Sequence, residues 1–307
     1  MAALGAGLAA ALIAAGCAAP LKIESSADPL AVLERGSMVY ARLSGAAARE
    51  LTPKALSAAQ AKALGPVLER TRLVALGMGA LPTIDASRAP AFQACLIGDY
   101  PFRTAALSLG ADSAWKREKL GFFNASLGMR AALPGPNILL ASTGNLEPLI
   151  SAAKMPGPSP IPSSLADLAS RELVLWVPEP FSGLVDAFLG EAMDLPARGF
   201  LVAASPIALL SGDKTSPRGY EATIVFLMKD ADSARIYRPV LRLAWYGIAR
   251  LFFGDEAESA LSASFALDGD SYRASGVVLS GAALARALGA LREGLVHISG
   301  SPRIPSR

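Results

Sequence analysis

The sequence predicts an α+β fold, built as two pseudo-repeats of β-α-β-β-α-β-β-α with a largely antiparallel sheet and helices packed on one face. Three observations lead there. Short apolar runs alternate with Ala- and Leu-rich segments of helical period along the chain. Tight turn signals join neighbouring strands more often than long crossovers do, which favours antiparallel pairing. The order of segments before residue 156 also recurs after residue 170, at a spacing too long for a solenoid and suited to a duplicated domain.

In the first half, residues 37–43 (SMVYARL) form a strand candidate, and the Ala, Lys and Glu-rich residues 46–70 are helical with an interruption near Pro53. Residues 72–78 (RLVALGM) and 91–97 (AFQACLI) are strand-like, and a helix spans 102–109. Residues 122–133 and 137–142 flank Pro134-Gly135-Pro136, a turn signal that makes them a hairpin, and 145–153 closes the half as a helix. Residues 156–164 (PGPSPIPSS) join neither a helix nor a central strand, because each proline lacks the N–H that either would use.

The second half follows the same order. Residues 172–177 (ELVLWV), 199–204 (GFLVAA) and 222–228 (ATIVFLM) answer the first three strands, with a helix over 182–193. The closing blocks correspond best: residues 124–127 with 262–265, the turn at Pro134-Gly135 with Asp268-Gly269-Asp270, and 139–142 with 277–280. The expected organisation is therefore a signal peptide over 1–16, a lipidated cysteine and tether over 17–36, a first repeat over 37–155 and a Pro-rich linker over 156–170. A second repeat over 171–299 and a loose tail over 300–307 complete it.

Composition excludes several classes. The 307 residues suffice to bury a core without disulfides or metal. A net charge of +3, without dense Lys/Arg runs and interleaved aromatics, argues against nucleic acid as a partner. The 52% of hydrophobic residues against 18% charged is high for a soluble domain, though much of the excess is alanine.

Residues 4–16 are apolar and uncharged, the length of a signal-peptide core and too short to span a bilayer, and Cys17 follows at once. The run Ala14-Ala15-Gly16-Cys17 resembles the lipobox of bacterial lipoprotein precursors. Ala14 departs from the usual Leu or Val, and no Lys or Arg precedes the apolar core within this sequence. The resemblance implies cleavage before Cys17, several acyl chains such as palmitate on that cysteine, and a membrane-anchored protein on the periplasmic or surface side of a bacterial envelope. With each buried methylene contributing about 0.8 kcal/mol, such anchoring is effectively permanent. Cys95 is then left without a disulfide partner.

Catalytic inventory is thin, and no catalytic, cofactor-binding or metal residue is assigned. The single histidine, His297, stands near the end of the chain, where it suits neither a Ser-His-Asp arrangement nor, with one unlipidated cysteine, a transition-metal site. No Walker loop or strand-borne Gly-x-Gly-x-x-Gly is present, so no nucleotide cofactor is expected. A Ser-x-x-Lys spacing occurs at Ser113/Lys116, Ser151/Lys154 and Ser211/Lys214, and resembles the nucleophile–base pair of penicillin-recognising enzymes; three occurrences in a serine-rich chain show how little one signifies. Asp268-Gly269-Asp270 lacks the later acidic ligands of a calcium loop and suits a turn.

The least ordinary segment is residues 238–253 (RPVLRLAWYGIARLFF), expected as a helix with Pro239 in its first turn and Gly254 at its end. Arg238, Arg242, Tyr246 and Arg250 recur every four residues on one narrow stripe, and apolar side chains including Trp245, Phe252 and Phe253 cover the rest. The plain structural account lays this helix on the sheet with its arginine stems flattened over apolar surface and their heads in water. The functional account holds that one sheet face cannot cover so wide an apolar arc, so those seven residues meet lipid or another protein. The expectation is a non-enzymatic envelope lipoprotein that binds or scaffolds a partner at the membrane surface. A lipid or amphiphile carrier using 238–253 is the alternative, and a Ser/Lys hydrolase a remote one.

Overall fold

The computed structural model describes residues 28–55, 58–79, 92–178, 195–207, 219–254 and 257–289. Strands β1 (Val39–Ser44), β2 (Thr71–Met78), β3 (Phe92–Gly98), β4 (Trp115–Glu118), β5 (Gly121–Asn124), β6 (Met129–Gly135) and β7 (Ile138–Ser142) come from the first half. The second half supplies β8 (Leu173–Pro178), β9 (Ala197–Ile207), β10 (Gly219–Met228), β11 (Ser264–Asp268) and β12 (Ser271–Ser280). All twelve form one antiparallel sheet in the order β11-β12-β10-β9-β8-β1-β2-β3-β7-β6-β5-β4. The α+β class and the antiparallel sheet are thus as expected, and the halves share one sheet. Outward from the central β1–β8 pair, the order reads β1-β2-β3-β7-β6 on one side and β8-β9-β10-β12-β11 on the other.

Helices α1 (Gly45–Ala55), α2 (Ala58–Arg70), α3 (Phe102–Ala111), α4 (Glu147–Lys154), α5 (Ala166–Ala169), α6 (Ala231–Phe253) and α7 (Ala257–Leu261) accompany them, and residues 281–289 form α8. They do not all pack on one face. Alternate strand residues feed two cores: Ala94, Leu175, Ile224 and Phe226 lie under α1, α2, α6, α7 and α8, whereas Cys95, Trp176, Val225 and Leu227 lie under α4 and α5. The cause is legible in the strands. Segments such as Phe92–Gly98 and Leu173–Pro178 are buried almost without a break, and a strand apolar on both faces needs cover on both.

Two segments expected outside the repeats are folded in. Residues 29–33, assigned to the tether, include a 3-10 turn (Pro29–Val32) capped by the Asp28 carboxylate, which accepts from Leu30 N at 3.0 Å; Leu30, Val32 and Leu33 are buried against β1–β3 and α4. Gln93 fastens this turn, accepting from Glu34 N at 2.8 Å and donating to Glu34 O at 2.7 Å. The Pro-rich 156–170 segment likewise buries Ile161, Leu165 and Leu168 beside them, and Gly157 N donates to Ala31 O at 3.2 Å. Proline forbids ladder and helix bonding, but it does not stop the apolar residues between prolines from packing.

Residues 122–133 are two strands. The Asn124 side-chain oxygen accepts from Ser126 N and Leu127 N, both at 3.1 Å, and Gly128 at φ 58° completes the turn between β5 and β6. With β4, this adds a hairpin to the first half. The helical stretch over 46–70 is divided near Pro53 as expected, into α1 ending at Ala55 and α2 beginning at Ala58, with Pro53 itself inside the last turn of α1. The helix expected over 182–193, the 300–307 tail and Cys17 lie outside the described residues.

Two consequences are measurable. A Cβ at Gly199 would enter the buried indole of Trp176, which lies diagonally across on β8, two residues from Gly199's own partner Pro178, so Gly199→Ala is expected to cost about 1–3 kcal/mol in a urea titration. Burial in the second core, with the Asp28 charge adding to it, pushes the Cys95 thiol from its ordinary 9.0 up to about 12. In residues 18–307, Cys95 should stay silent to a thiol reagent until the chain unfolds. The unfolded thiol ionises near 9.0 and the folded one does not, so its contribution is whole below that pH and is lost as pH rises toward about 12. Ready labelling of folded protein at pH 8 would contradict this.

Candidate contact surface on the long helix

The α6 helix starts a full two turns before Pro239. Asp230 is its N-cap, accepting from Ser233 N at 2.7 Å, and that hydrogen bond holds the exposed Asp230 carboxyl below its ordinary range. Pro239 therefore lies inside the helix rather than at its first position. Gly254, at φ 55°, ends it as expected.

One face of α6 is core. Ala234, Leu241, Trp245 and Ala249 are fully buried, and the Trp245 indole N–H donates to Ala260 O of α7 at 2.8 Å. Phe253 packs on that indole with ring centroids 5.9 Å apart. The expectation that Trp245 and Phe253 meet lipid or a partner is corrected accordingly: both are interior. The Phe252 side chain lies outside the described residues.

The other face is open. Ile236 and Leu243 are 71% and 68% exposed, and with Pro239 between them they form an outward apolar row at helical spacing. Arg235, Arg238 and Arg242 border that row, and Arg250 lies exposed farther along. A shallow, open groove of about 400 Å³ is lined by Arg238, Pro239, Arg242, Leu243 and Tyr246.

The stripe of Arg238, Arg242 and Tyr246 is built as a unit with the edge of the sheet. Arg242 Nε donates to the Tyr246 hydroxyl at 2.7 Å, and its guanidinium stands 5.6 Å from the Tyr246 ring centre and 5.1 Å from that of Phe265 in β11. Phe265 stacks on Tyr272 of β12 at 5.5 Å with only 14° between the planes. Burial raises the Tyr272 hydroxyl above its ordinary range, and the positive charges of Arg238 and Arg242 oppose that rise.

The motif candidates do not converge on this surface. Ser113, Lys116, Ser151 and Lys154 are all exposed, and Ser211, Lys214 and His297 lie outside the described residues. Asp268-Gly269-Asp270 is the β11–β12 turn, with Gly269 at φ 61°; Asp268 pairs with Arg273 at 3.0 Å and Asp270 with Arg198 at 3.6 Å. Sequence reasoning missed Arg235, Ile236, Phe265 and Tyr272. Asp230 with Ser233 three residues on was the start signal that would have brought the first two into the helix.

Neither a protein-family model nor a curated protein matches the chain. Solved structures do. Crystal form I of TP0453 aligns with a TM-score of 0.61 at 17% identity, covering 88% of this chain and 100% of that one. The chain shares the TP0453 fold. Crystal forms III and IV of TP0453 agree, with TM-scores of 0.60 and 0.59, identities of 17% and 16%, and coverage of 87% and 86% of this chain against 100% and 98% of theirs. Among the described residues, no helix is long and apolar enough to cross a membrane.

Because Trp245 fills the core and saturates its one donor there, Trp245→Ala is expected to destabilise the fold by about 3–5 kcal/mol in chemical denaturation. A loss below about 1 kcal/mol would place the indole outside the core.

Proposed function

We propose that the protein is a non-enzymatic bacterial envelope lipoprotein, tethered through lipid on Cys17, which binds a partner at the membrane surface through the outer face of α6. The observation that carries this reading is the row Ile236, Pro239, Leu243, left in solvent and bordered by arginines on a helix whose inner face is already filled. Exposed apolar side chains arranged in register with cations fit an interface better than they fit isolated surface residues. In this reading the two halves descend from one duplicated unit, which the mirrored strand order supports, with β4–β5 inserted in the first. The shorter α3 then corresponds to α6, and the specialised surface belongs to the second half.

A bilayer is the contact that the arginine border favours. The carrier alternative has less support, since the groove is open and lies beside Pro239 and Leu243 rather than Trp245. The exposure of Ser113/Lys116 and Ser151/Lys154 favours no hydrolase reading.

Flotation of unlipidated residues 18–307 with anionic and neutral vesicles, at low and high salt, tests the proposal. Binding to anionic vesicles is expected, reduced by salt and lost in a folded Ile236→Gln, Leu243→Gln variant. Flotation that survives this exchange would remove α6 as the contact. No flotation at any salt would leave Cys17 as the membrane attachment and require a protein partner for the same face.

A further inference from the structure

We propose that Arg238 and Arg242 form a binding site for the phosphate of an anionic phospholipid headgroup, with Leu243 and Pro239 receiving the adjoining acyl segment. The inference rests on the reading of α6 as a membrane-facing surface and adds its ligand. The two guanidinium groups stand one turn apart on the same side of α6 and line one groove of about 400 Å³ together with Pro239, Leu243 and Tyr246. Among the described residues, no carboxylate lies within ion-pair distance of either. The Tyr246 hydroxyl takes the Arg242 Nε proton at 2.7 Å, and the Arg238 charge lies close enough to the Tyr272 hydroxyl to favour its ionised form. A phenol satisfies a donor without cancelling its charge, so among the described residues neither cation is compensated.

Arg242 is also held in place before any ligand arrives. Its guanidinium stands over the rings of Tyr246 and Phe265, at 5.6 and 5.1 Å from their centres, and Nε is committed to Tyr246, which leaves its two terminal NH₂ groups for an acceptor. A guanidinium fixed this way presents a planar fork matched to phosphate oxygens and loses little freedom on binding. Free phosphate would use the fork alone. The apolar wall of Leu243 and Pro239, with Leu243 68% exposed, is what selects a phosphate that carries hydrocarbon.

Calorimetric titration of the full chain carrying Cys17→Ser, with monomeric dihexanoyl phosphatidylglycerol below its micelle concentration, tests the site. The expected result is saturable one-site binding, weakened at least about tenfold by R238Q/R242Q at an unchanged melting temperature, with inorganic phosphate binding more weakly than the lipid. R238Q alone, which leaves the Arg242 stack intact, serves the same comparison should the double exchange disturb the fold. Absence of saturable binding, equal affinity in the variants, or inorganic phosphate binding as tightly as the lipid would each overturn the proposal. Vesicle flotation lost on exchange of Ile236 and Leu243, together with lipid affinity indifferent to the arginines, would overturn this site and leave the wider membrane-surface reading standing.

Discussion

The antiparallel pairing of β1 with β8 is the constraint on which the rest of the structure depends. It joins Tyr40 to Trp176, Ala41 to Leu175, Arg42 to Val174 and Leu43 to Leu173, and so turns two edges into the middle of a single sheet. An unpaired strand edge is a template for aggregation, and a buried one leaves N–H and C=O groups without partners. Polar side chains around the junction reinforce it: Arg42 donates to the carbonyls of Ala169 and Arg171 at 3.0 and 2.9 Å, and the Ser44 hydroxyl donates to Glu172 at 2.7 Å. These contacts fix where the Pro-rich segment ends and β8 begins. That segment can then pack its apolar residues on the sheet that its prolines keep it from joining.

Merging the halves sets the burden on the helices. A sheet with both faces apolar needs two layers of cover, and the chain meets this unequally. One layer is built from full helices. The other is assembled from short turns and α4, with Leu30, Leu165 and Leu168 filling the space between them. The two remaining edges are managed differently. Strand β4 exposes Lys116, Arg117 and Glu118, whereas β11 ends in Asp268 held by Arg273, both arrangements that discourage a further strand. Helix α6 buries one face along its whole length, from Ala234 to Phe253, and turns Ile236 and Leu243 of its opposite face to solvent.

The strands were readable because Val, Ile, Leu and Phe concentrate in them between turn residues, and so was the turn at Asp268-Gly269-Asp270, whose glycine needs positive φ. Their burial on both faces was equally present in runs such as AFQACLI, which lack alternation, yet a preference for short connections placed all helices on one side. Hairpin β4–β5 escaped notice because Trp115-Lys116-Arg117-Glu118 has the composition of a solvated helix or loop, and its pairing is set by Gly121 and Phe122 across the turn. The contact surface was half legible. The four-residue recurrence found the arginine stripe, but periodicity cannot tell which part of an apolar arc faces the sheet. Trp245, the largest side chain on the helix, went inside, and the modest Ile236 and Leu243 stayed out.

The two accounts of the arginine stripe, packing and recognition, turn out to be one arrangement. Phe265 lies at the rim of the first core, only partly buried, and stacks on Tyr272, which is fully buried beneath it. Arginine is suited to that position because its guanidinium is weakly hydrated on its faces and strongly polar at its edge. Arg242, itself exposed, stands over the Phe265 ring while its Nε is bonded to Tyr246, and these two contacts hold the charge in place. A lysine at the same place would cover the ring with its stem alone and leave its ammonium free to wander. The placement that makes Arg242 fit to bind an anion is thus a by-product of covering Phe265 at the edge of the hydrophobic core.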